Sequence, residues 1–293
     1  MNKKAIYSCY KCPADNRPKF LDLHIQLAEK YASKIGADFV LLQNIDKEYK
    51  PLTFVAYEAY KHFAESKYER MLWIDWDVLI SLDSPDIFNE YSDVGFAAWK
   101  WPYSETYNFS EFAFLEHVCH DIVSDDDIKK LFNGGMYDVS GGVMLFDNDT
   151  MNKFLFGEKA QWDTLYSVIH DDLLVLPGSL RTREIDDLLK VGGELSHYVI
   201  NYLLYKNEIP VSYIDKRWNT NSITNMMSQD EYFFNFNDGG DEVDTGQEFN
   251  TKNNTVLDYV LHNKHKFFDT DDEFSTFISQ YDKKTIFNAL KKR

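Results

Sequence analysis

Residues 71–80 read MLWIDWDVLI, and this stretch decides the fold. All of its residues are apolar except Asp75 and Asp77, which lie near its middle. A short run that is apolar on both faces is typical of a strand buried in a parallel sheet. Two carboxylates in such a strand cost free energy unless a cation compensates them, and hard divalent cations prefer oxygen ligands. The run therefore predicts a buried strand with a metal–diphosphate site at its end.

Strand-like and helix-like segments alternate on both sides of this run. Before it, the pattern predicts strands at Lys4–Tyr10 and Asp38–Leu42, and helices at Lys19–Ile35 (with Gly36 as its cap) and Phe54–Ser66. After it, the pattern predicts strands at Asp93–Trp99, Asp138–Asp147, Val211–Ile214 and Tyr259–Leu261, and helices at Gly193–Tyr205 and Glu273–Lys291. Buried strands that alternate with helices predict an α/β fold built on a doubly wound sheet.

The composition is that of a globular protein with a strongly acidic surface. The 293 residues include 31 Lys and Arg against 48 Asp and Glu, so the formal net charge is −17. A protein that follows a phosphate backbone needs a basic face, so nucleic acid and anionic membranes are poor partners for the bulk surface. No apolar run approaches the roughly 20 residues of a membrane helix, and no secretory leader is visible. With three cysteines and no disulfide framework, the chain is expected to be cytoplasmic, without a membrane span.

Two segments do not fit the alternating framework. Lys100–Phe114 reads KWPYSETYNFSEFAF and is aromatic with little periodicity. Asn235–Asn254 is acidic and polar with two adjacent glycines, which predicts a mobile insertion. Since no repeat or linker is visible, residues 1–293 are predicted to form one domain with the terminal helix, residues 273–291, packed on it.

Four segments, in order, resemble those of GT-A-fold glycosyltransferases, and of the glycosyltransferase family 8 group in particular. They are Tyr31–Asp38 (YASKIGAD), Glu69–Ile80 with its Asp-x-Asp, Ser140–Asp147 (SGGVMLFD) and Tyr259–Lys266 (YVLHNKHK). The resemblance implies a GT-A fold, which is a Rossmann-like, mixed and mainly parallel sheet flanked by helices. It also implies transfer of a sugar from a nucleotide-diphosphate donor (a UDP- or GDP-sugar) to a hydroxyl of a glycan or small acceptor, with Mn²⁺ or Mg²⁺ as cofactor.

The same resemblance assigns roles around the donor. The metal ligands would be Asp75, which also contacts the ribose, Asp77 and His262. Lys264 and Lys266 are both candidates for the diphosphate contact, because Asn263 stands where the family usually has Gly. The remaining donor-binding residues are expected at the strand ends and at a glycine pair that lets the backbone approach the sugar: Tyr7, Ser8, Cys9, Tyr10, Asp38, Trp76, Gly141 and Gly142.

The candidate catalytic residues lie at the start of the Gly193–Tyr205 helix. Family 8 enzymes carry Asp-Gln-Asp there, whereas this chain has Ser196, His197 and Tyr198, with Glu194 just upstream. An inverting enzyme needs a base for the acceptor hydroxyl, and a retaining enzyme needs a nucleophile or front-face attack. Glu194 and His197 are therefore the candidates, and both stereochemical courses stay open. The aromatic segment Lys100–Phe114 is the candidate acceptor wall.

Other functions remain open at the level of sequence. Haloacid-dehalogenase phosphatases also carry Asp-x-Asp after an apolar strand, although on their first strand, with the first Asp as nucleophile beside Mg²⁺. A non-catalytic sugar-binding module could use the aromatic residues of Lys100–Phe114. Cys9 and Cys12 form a CxxC typical of thioredoxin-like redox sites, but the segment Pro13–Pro18 separates them from the next helix. Turnover of nucleotide sugars against that of p-nitrophenyl phosphate would distinguish the transferase from the phosphatase and the binding module.

Overall fold

The computed structural model describes residues 3–10, 17–43, 45, 52–100, 124, 126, 139–167, 192–221, 231–236 and 247–291. The aromatic segment beyond Lys100, residue Cys12 and the centre of the Asn235–Asn254 segment lie outside these ranges. Among the described residues, no helix has both the length and the apolar character needed to cross a bilayer.

The strands and helices predicted for the first half of the chain occur in the predicted order, with a short strand at Val78–Ile80 and a short helix at Ile87–Glu90 in addition to them. The strands are β1 (Lys4–Cys9), β2 (Asp38–Leu42), β3 (Arg70–Ile74), β4 (Val78–Ile80), β5 (Phe96–Lys100), β6 (Val139–Asp147), β7 (Ser212–Tyr213), β8 (Thr220–Asn221) and β9 (Phe233–Asn235). The helices are α1 (Leu21–Ile35), α2 (Ala56–Ala64), α3 (Ile87–Glu90), α4 (Asn148–Phe156), α5 (Gly192–Lys206), α6 (Gln247–His262), α7 (Asp271–Ile278) and α8 (Lys283–Leu290).

In the described part of the chain, six strands form the main sheet in the order β2-β1-β3-β6-β5-β7. β6 is antiparallel to both of its neighbours, β3 and β5, while the other pairings are parallel. The prediction of an α/β fold with a mixed, mainly parallel sheet is therefore confirmed. A smaller sheet with the order β4-β9-β8 stands beside it.

Both faces of the main sheet are covered, as the apolar strands require. In β3, Met71 and Trp73 belong to the core that α2 and α5 cover, while Leu72 and Ile74 belong to the core beneath α1 and α6. Successive side chains of a strand point to opposite faces, so a strand buried on both sides must be apolar at every position. This explains the uninterrupted run before Asp75.

Helix α1 forms and ends as its sequence predicts. Its buried side chains recur at helical spacing and include Leu23, Leu27 and Tyr31. The helix stops at Gly36, whose φ of 66° is in the left-handed region and whose N–H donates to Ala32 O and Ser33 O. Glycine adopts this conformation without a Cβ penalty, so the predicted cap is confirmed.

The decisive run 71–80 is not one strand, which corrects the prediction. β3 ends at Ile74, the chain turns through Asp75–Asp77, and β4 begins at Val78 in the other sheet. The turn is closed by a hydrogen bond from Val78 N to Asp75 O of 3.0 Å. At this turn Asp75 becomes half-buried, so its carboxylate escapes the full cost of burial that a continuous strand would impose, whereas Asp77 is 6% exposed.

Three later predictions also change. Tyr259–Leu261 is the end of helix α6, not a strand, because Val256, Leu257 and Val260 bury one helical face. The predicted helix at residues 273–291 is divided between two helices, α7 and α8. Asp282 lies between them and begins α8 by accepting hydrogen bonds from two backbone N–H groups. Asn235 ends strand β9 and residues 247–254 belong to α6, so both ends of the predicted insertion are regular.

Candidate active site

The site is built on the turn Asp75–Asp77, where the chain passes from one sheet to the other. Asp75 N donates to Gly142 O in β6 at 2.9 Å, which ties the start of the turn to the main sheet. Phe236 N, just after β9, donates to Asp77 O at 3.2 Å, which ties its end to the small sheet. Each acidic residue is thus anchored through its backbone to a different sheet.

The two carboxylates of the turn differ in their exposure. Asp77 is 6% exposed, whereas Asp75 is half-buried and accepts a hydrogen bond of 3.0 Å from Trp73 Nε1. Mg²⁺ and Mn²⁺ take carboxylate oxygens, and Mg²⁺ is often held by only one or two carboxylates together with substrate phosphates. The donor set therefore fits a divalent cation that completes its shell with phosphate and water.

The structure does not gather the three predicted metal ligands into one cluster. Among the described residues, no three His, Cys, Asp or Glu side chains form a group that could hold a metal ion. His262 ends helix α6, and its Nδ1 lies 2.8 Å from Asp258 O. Because a carbonyl only accepts, Nδ1 carries the hydrogen and Nε2 is the nitrogen left for a ligand. His262 as a metal ligand stays a prediction.

The two candidate lysines have different surroundings. Lys266 is 6% exposed, and its Nζ lies 3.7 Å from Glu231 Oε2 and 4.9 Å from the centre of the Phe234 ring. The side chain of Lys264 is 54% exposed and its Nζ lies 3.3 Å from Asp271 Oδ1. The structure thus places the Lys266 ammonium in an internal ion pair and leaves the Lys264 side chain at the surface.

Side chains of this protein lie beside the glycine pair of β6, at the positions where a Cβ would project. The approach of a donor sugar to these two glycines stays a prediction. A Cβ on Gly141 would lie 3.1 Å from His197 Cδ2, and one on Gly142 would lie 2.1 Å from Asn235 Nδ2. Both distances are shorter than ordinary carbon contacts, and the second would require a displacement. Gly142 is therefore needed because Asn235 packs directly on it.

The predicted catalytic residues lie on helix α5, whose middle is hydrogen-bonded to β6 through Asn201. Asn201 Oδ1 accepts from Val139 N at 3.1 Å, and Asn201 Nδ2 donates to His197 O at 2.8 Å. Burial lowers the pKa of His197 to about 4, so its imidazole is neutral at neutral pH and is a weak base. Glu194 lies in the first turn of α5, and its side chain is outside the described part of the structure.

The neutral state of His197 predicts a pH dependence of folding. The unfolded chain takes up this proton below about pH 6.5, whereas the folded protein resists it until about pH 4, so stability falls as the pH falls through that window. We expect His197→Gln to reduce the loss of unfolding free energy between pH 7 and pH 4.5 by about 2–3 kcal/mol. Urea denaturation of both proteins at the two pH values measures this. An equal loss in both would show that His197 is protonated normally in the folded state.

The residues at the end of β1 divide into two groups. Tyr10 and Trp76 meet at the carboxyl ends of β1 and β3, with ring centres 5.6 Å apart, and Trp76 stacks on Phe20 at 5.7 Å and 14°. Cys9, the last residue of β1, is buried and its Sγ lies 3.8 Å from Val55 O. Tyr10 and Trp76, which itself lies in the turn, therefore form an aromatic edge next to Asp75 and Asp77.

The other three donor-binding candidates are buried or lie elsewhere along the strands. The Tyr7 side chain is buried in the core, its Oη lies 3.0 Å from His62 Nδ1, and burial raises the pKa of Tyr7 to about 12. Ser8 is also buried. Asp38 begins β2 opposite Ala5, at the amino ends of the strands, and accepts from Tyr68 Oη at 2.9 Å. Since ligands of such sheets gather at the carboxyl ends, Asp38 lies at the wrong edge.

The sequence analysis did not identify His24, whose side chain contacts the first residue of β4, directly after the turn. His24 is 1% exposed, its Nδ1 lies 2.7 Å from Val78 O, and its Nε2 lies 3.1 Å from Ser8 Oγ. The carbonyl can only accept, so Nδ1 donates and Nε2 accepts from the serine hydroxyl. Burial lowers the pKa of His24, which keeps it neutral. The one available signal was a histidine on the apolar face of a helix.

Comparison with solved structures finds glycosyltransferases. The chain is similar to a glycosyltransferase involved in glycosylation of the major capsid of PBCV-1, with 15% identity over 85% of this chain and 98% of that chain, at a TM-score of 0.41. It is similar to the galactosyltransferase LgtC in complex with donor and acceptor sugar analogues, with 13% identity over 86% of this chain and 95% of that chain, at a TM-score of 0.41. It is also similar to the bifunctional glycosyltransferase WbbM, with 13% identity over 84% of this chain and 49% of that chain, at a TM-score of 0.42.

No family model and no curated protein matches the chain. At the identities and TM-scores of the structural matches, the likeness carries no functional weight by itself. The functional conclusion therefore depends on the residues around Asp75 and Asp77.

Proposed function

We propose that this chain is a metal-dependent glycosyltransferase that moves a sugar from a nucleotide-diphosphate donor, a UDP- or GDP-sugar, to a hydroxyl of a glycan or small acceptor. The observation that carries the proposal is the Asp75–Asp77 turn, which presents two carboxylates at the carboxyl edge of a mixed α/β sheet. Ligands of open α/β sheets bind at this edge, and paired carboxylates suit a cation that is shared with phosphate oxygens.

Asp75 and Asp77 would hold Mn²⁺ or Mg²⁺. The cation, when bound, neutralises the charge that develops on the leaving diphosphate. Lys264 would add a second positive charge, since its side chain is 54% exposed and can move away from Asp271. Lys266 would support the site from inside, through its ion pair with Glu231.

The aromatic edge next to the turn would hold the planar or apolar parts of the donor. Tyr10 and Trp76 meet edge to face; Tyr10 is 8% exposed, and Trp76 is half-buried, with its ring stacked on Phe20. Aromatic faces stack on bases and on the apolar faces of sugar rings, with about 1–3 kcal/mol per stacked base in nucleic-acid complexes. A carboxylate pair beside such an edge suits a ligand with a diphosphate at one end and rings at the other.

The acceptor side of the reaction is assigned to the start of α5. The pKa of about 4 makes His197 a poor proton acceptor near neutral pH, so it would act by holding its neighbours in place. Glu194, in the first turn of the same helix, is the proposed group for the acceptor hydroxyl or the anomeric carbon.

A donor panel tests the proposed function. The protein is incubated with UDP- and GDP-sugars, with and without Mn²⁺, and release of nucleoside diphosphate is followed. We expect release from one donor type that requires the metal and increases with a sugar acceptor. Hydrolysis of p-nitrophenyl phosphate without turnover of any nucleotide sugar would instead indicate a phosphatase. Binding of glycans with no turnover of either substrate would indicate a sugar-binding module.

A further inference from the structure

Three buried polar side chains form a hydrogen-bonded chain next to the Asp75–Asp77 turn. Asn235 Nδ2 donates to Asn219 Oδ1 at 3.0 Å, and Asn219 Nδ2 donates to Ser140 Oγ at 3.0 Å. Their exposed fractions are 1%, 0% and 2%. Polar groups are costly to bury and rigid once they are bonded to one another, so such a chain restrains the elements that carry it. We call these three residues the amide chain.

The amide chain joins the two backbone anchors of the turn. The carbonyl of Gly142 accepts a hydrogen bond from Asp75 N. The Asn235 amide packs against the Cα of Gly142, so that a Cβ there would lie 2.1 Å from Asn235 Nδ2. Asn235 itself pairs with Val78 in the small sheet, and the next residue, Phe236, holds Asp77 O. The Asn235 side chain therefore contacts Gly142, whose carbonyl accepts from Asp75 N. The Asn235 backbone continues into Phe236, whose N–H donates to Asp77 O.

We propose that Asn235 is a positioning residue that sets the separation of the Asp75 and Asp77 carboxylates. It does so by locking the small sheet against Gly142 at the point where the turn crosses between sheets. This inference rests on the proposed function, in which the two carboxylates share one divalent cation with a diphosphate. Removal of a group that orients metal ligands typically costs 10–100-fold in metal affinity or activity.

The test measures binding of Mn²⁺ alone, and of UDP and GDP with and without Mn²⁺, by calorimetric titration. For Asn235→Ala we expect metal-dependent nucleotide affinity to fall 10–100-fold while the protein remains folded at the assay temperature. Asn235→Ser, which keeps a small hydroxyl, carries the same expectation and serves if the alanine variant does not fold.

The chain offers a matched control at Asn207. Asn207 is 3% exposed, bonds to Ala160 N and O at 3.1 and 2.9 Å, and lies 2.2 Å from where a Cβ on Gly157 would be. It thus packs on a glycine as Asn235 does, but it directly follows the last residue of α5, at the opposite end of that helix from Glu194. Asn207→Ala should lower the melting temperature comparably and leave nucleotide and metal affinity unchanged.

A second pair of variants separates positioning from general stability. Gly142→Ala should be destabilised, because its methyl group meets Asn235, and the double variant Gly142→Ala/Asn235→Ala should recover stability because the methyl group enters the vacated space. Affinity should not recover in the double variant, since the amide is still missing.

The outcomes distinguish the inference from the function on which it rests. Wild-type affinity in Asn235→Ala, or recovery of affinity together with stability in the double variant, would overturn the positioning role and leave the proposed function standing. A wild-type protein that binds neither UDP nor GDP in a metal-dependent way would overturn both.

Discussion

Asp77→Asn is expected to abolish sugar transfer while the protein stays folded. Asp77 is 6% exposed and its backbone is held by Phe236, so the amide of the same shape keeps its place. The substitution removes the negative charge that would hold the cation against the leaving diphosphate. A metal that stabilises developing charge contributes several kcal/mol, so the loss in turnover should be on the order of 1000-fold or more. Turnover of the best donor at saturating Mn²⁺ measures the effect.

Asp83→Asn is the matched control for this substitution. Asp83 is an exposed acidic residue just beyond the other end of β4. It should keep wild-type turnover, and both variants should keep the wild-type melting temperature to within a few degrees. Near wild-type turnover in Asp77→Asn would remove the carboxylate pair from the mechanism.

Lys266→Met is expected to destabilise the fold strongly. The ammonium lies 3.7 Å from the Glu231 carboxylate, and the two side chains are 7% and 2% exposed. Removing one member of a buried ion pair takes away the closest opposite charge of the other member, which typically costs about 3–5 kcal/mol. Urea denaturation at pH 7 measures the loss of unfolding free energy.

Two further variants decide between a structural and a phosphate-binding role. Lys266→Met/Glu231→Gln should recover most of the lost stability, because both charges of the buried pair are removed together. Lys264→Ala, at an exposed position, should change stability by about 0.5 kcal/mol or less but weaken binding of the nucleoside diphosphate. If Lys266→Met stays fully stable and loses diphosphate affinity instead, Lys266 is the phosphate contact.

Several elements were predictable because each depends on residues close together in the chain. The positions of β1, β2 and β6 follow from apolar runs, and that of α1 follows from apolar residues at helical spacing with Gly36 after them. The Asp-x-Asp was recognisable because carboxylates in an apolar run cost free energy unless they are compensated. The late part of the chain was harder, since a short apolar triplet such as residues 259–261 fits a strand and a helix equally well.

The sequence by itself determined the α/β class, the buried strands and the pair of carboxylates, because local periodicity reports which faces are buried. Only the tertiary structure decided that run 71–80 divides between two sheets, since β4 depends on pairing with the distant strand β9. It also decided what lies beside Gly142, because the Asn235 amide that occupies the place of a Cβ there comes from the small sheet. A residue's own neighbours set its local conformation, but the packing of segments far apart in the chain sets what its side chain or its missing Cβ touches.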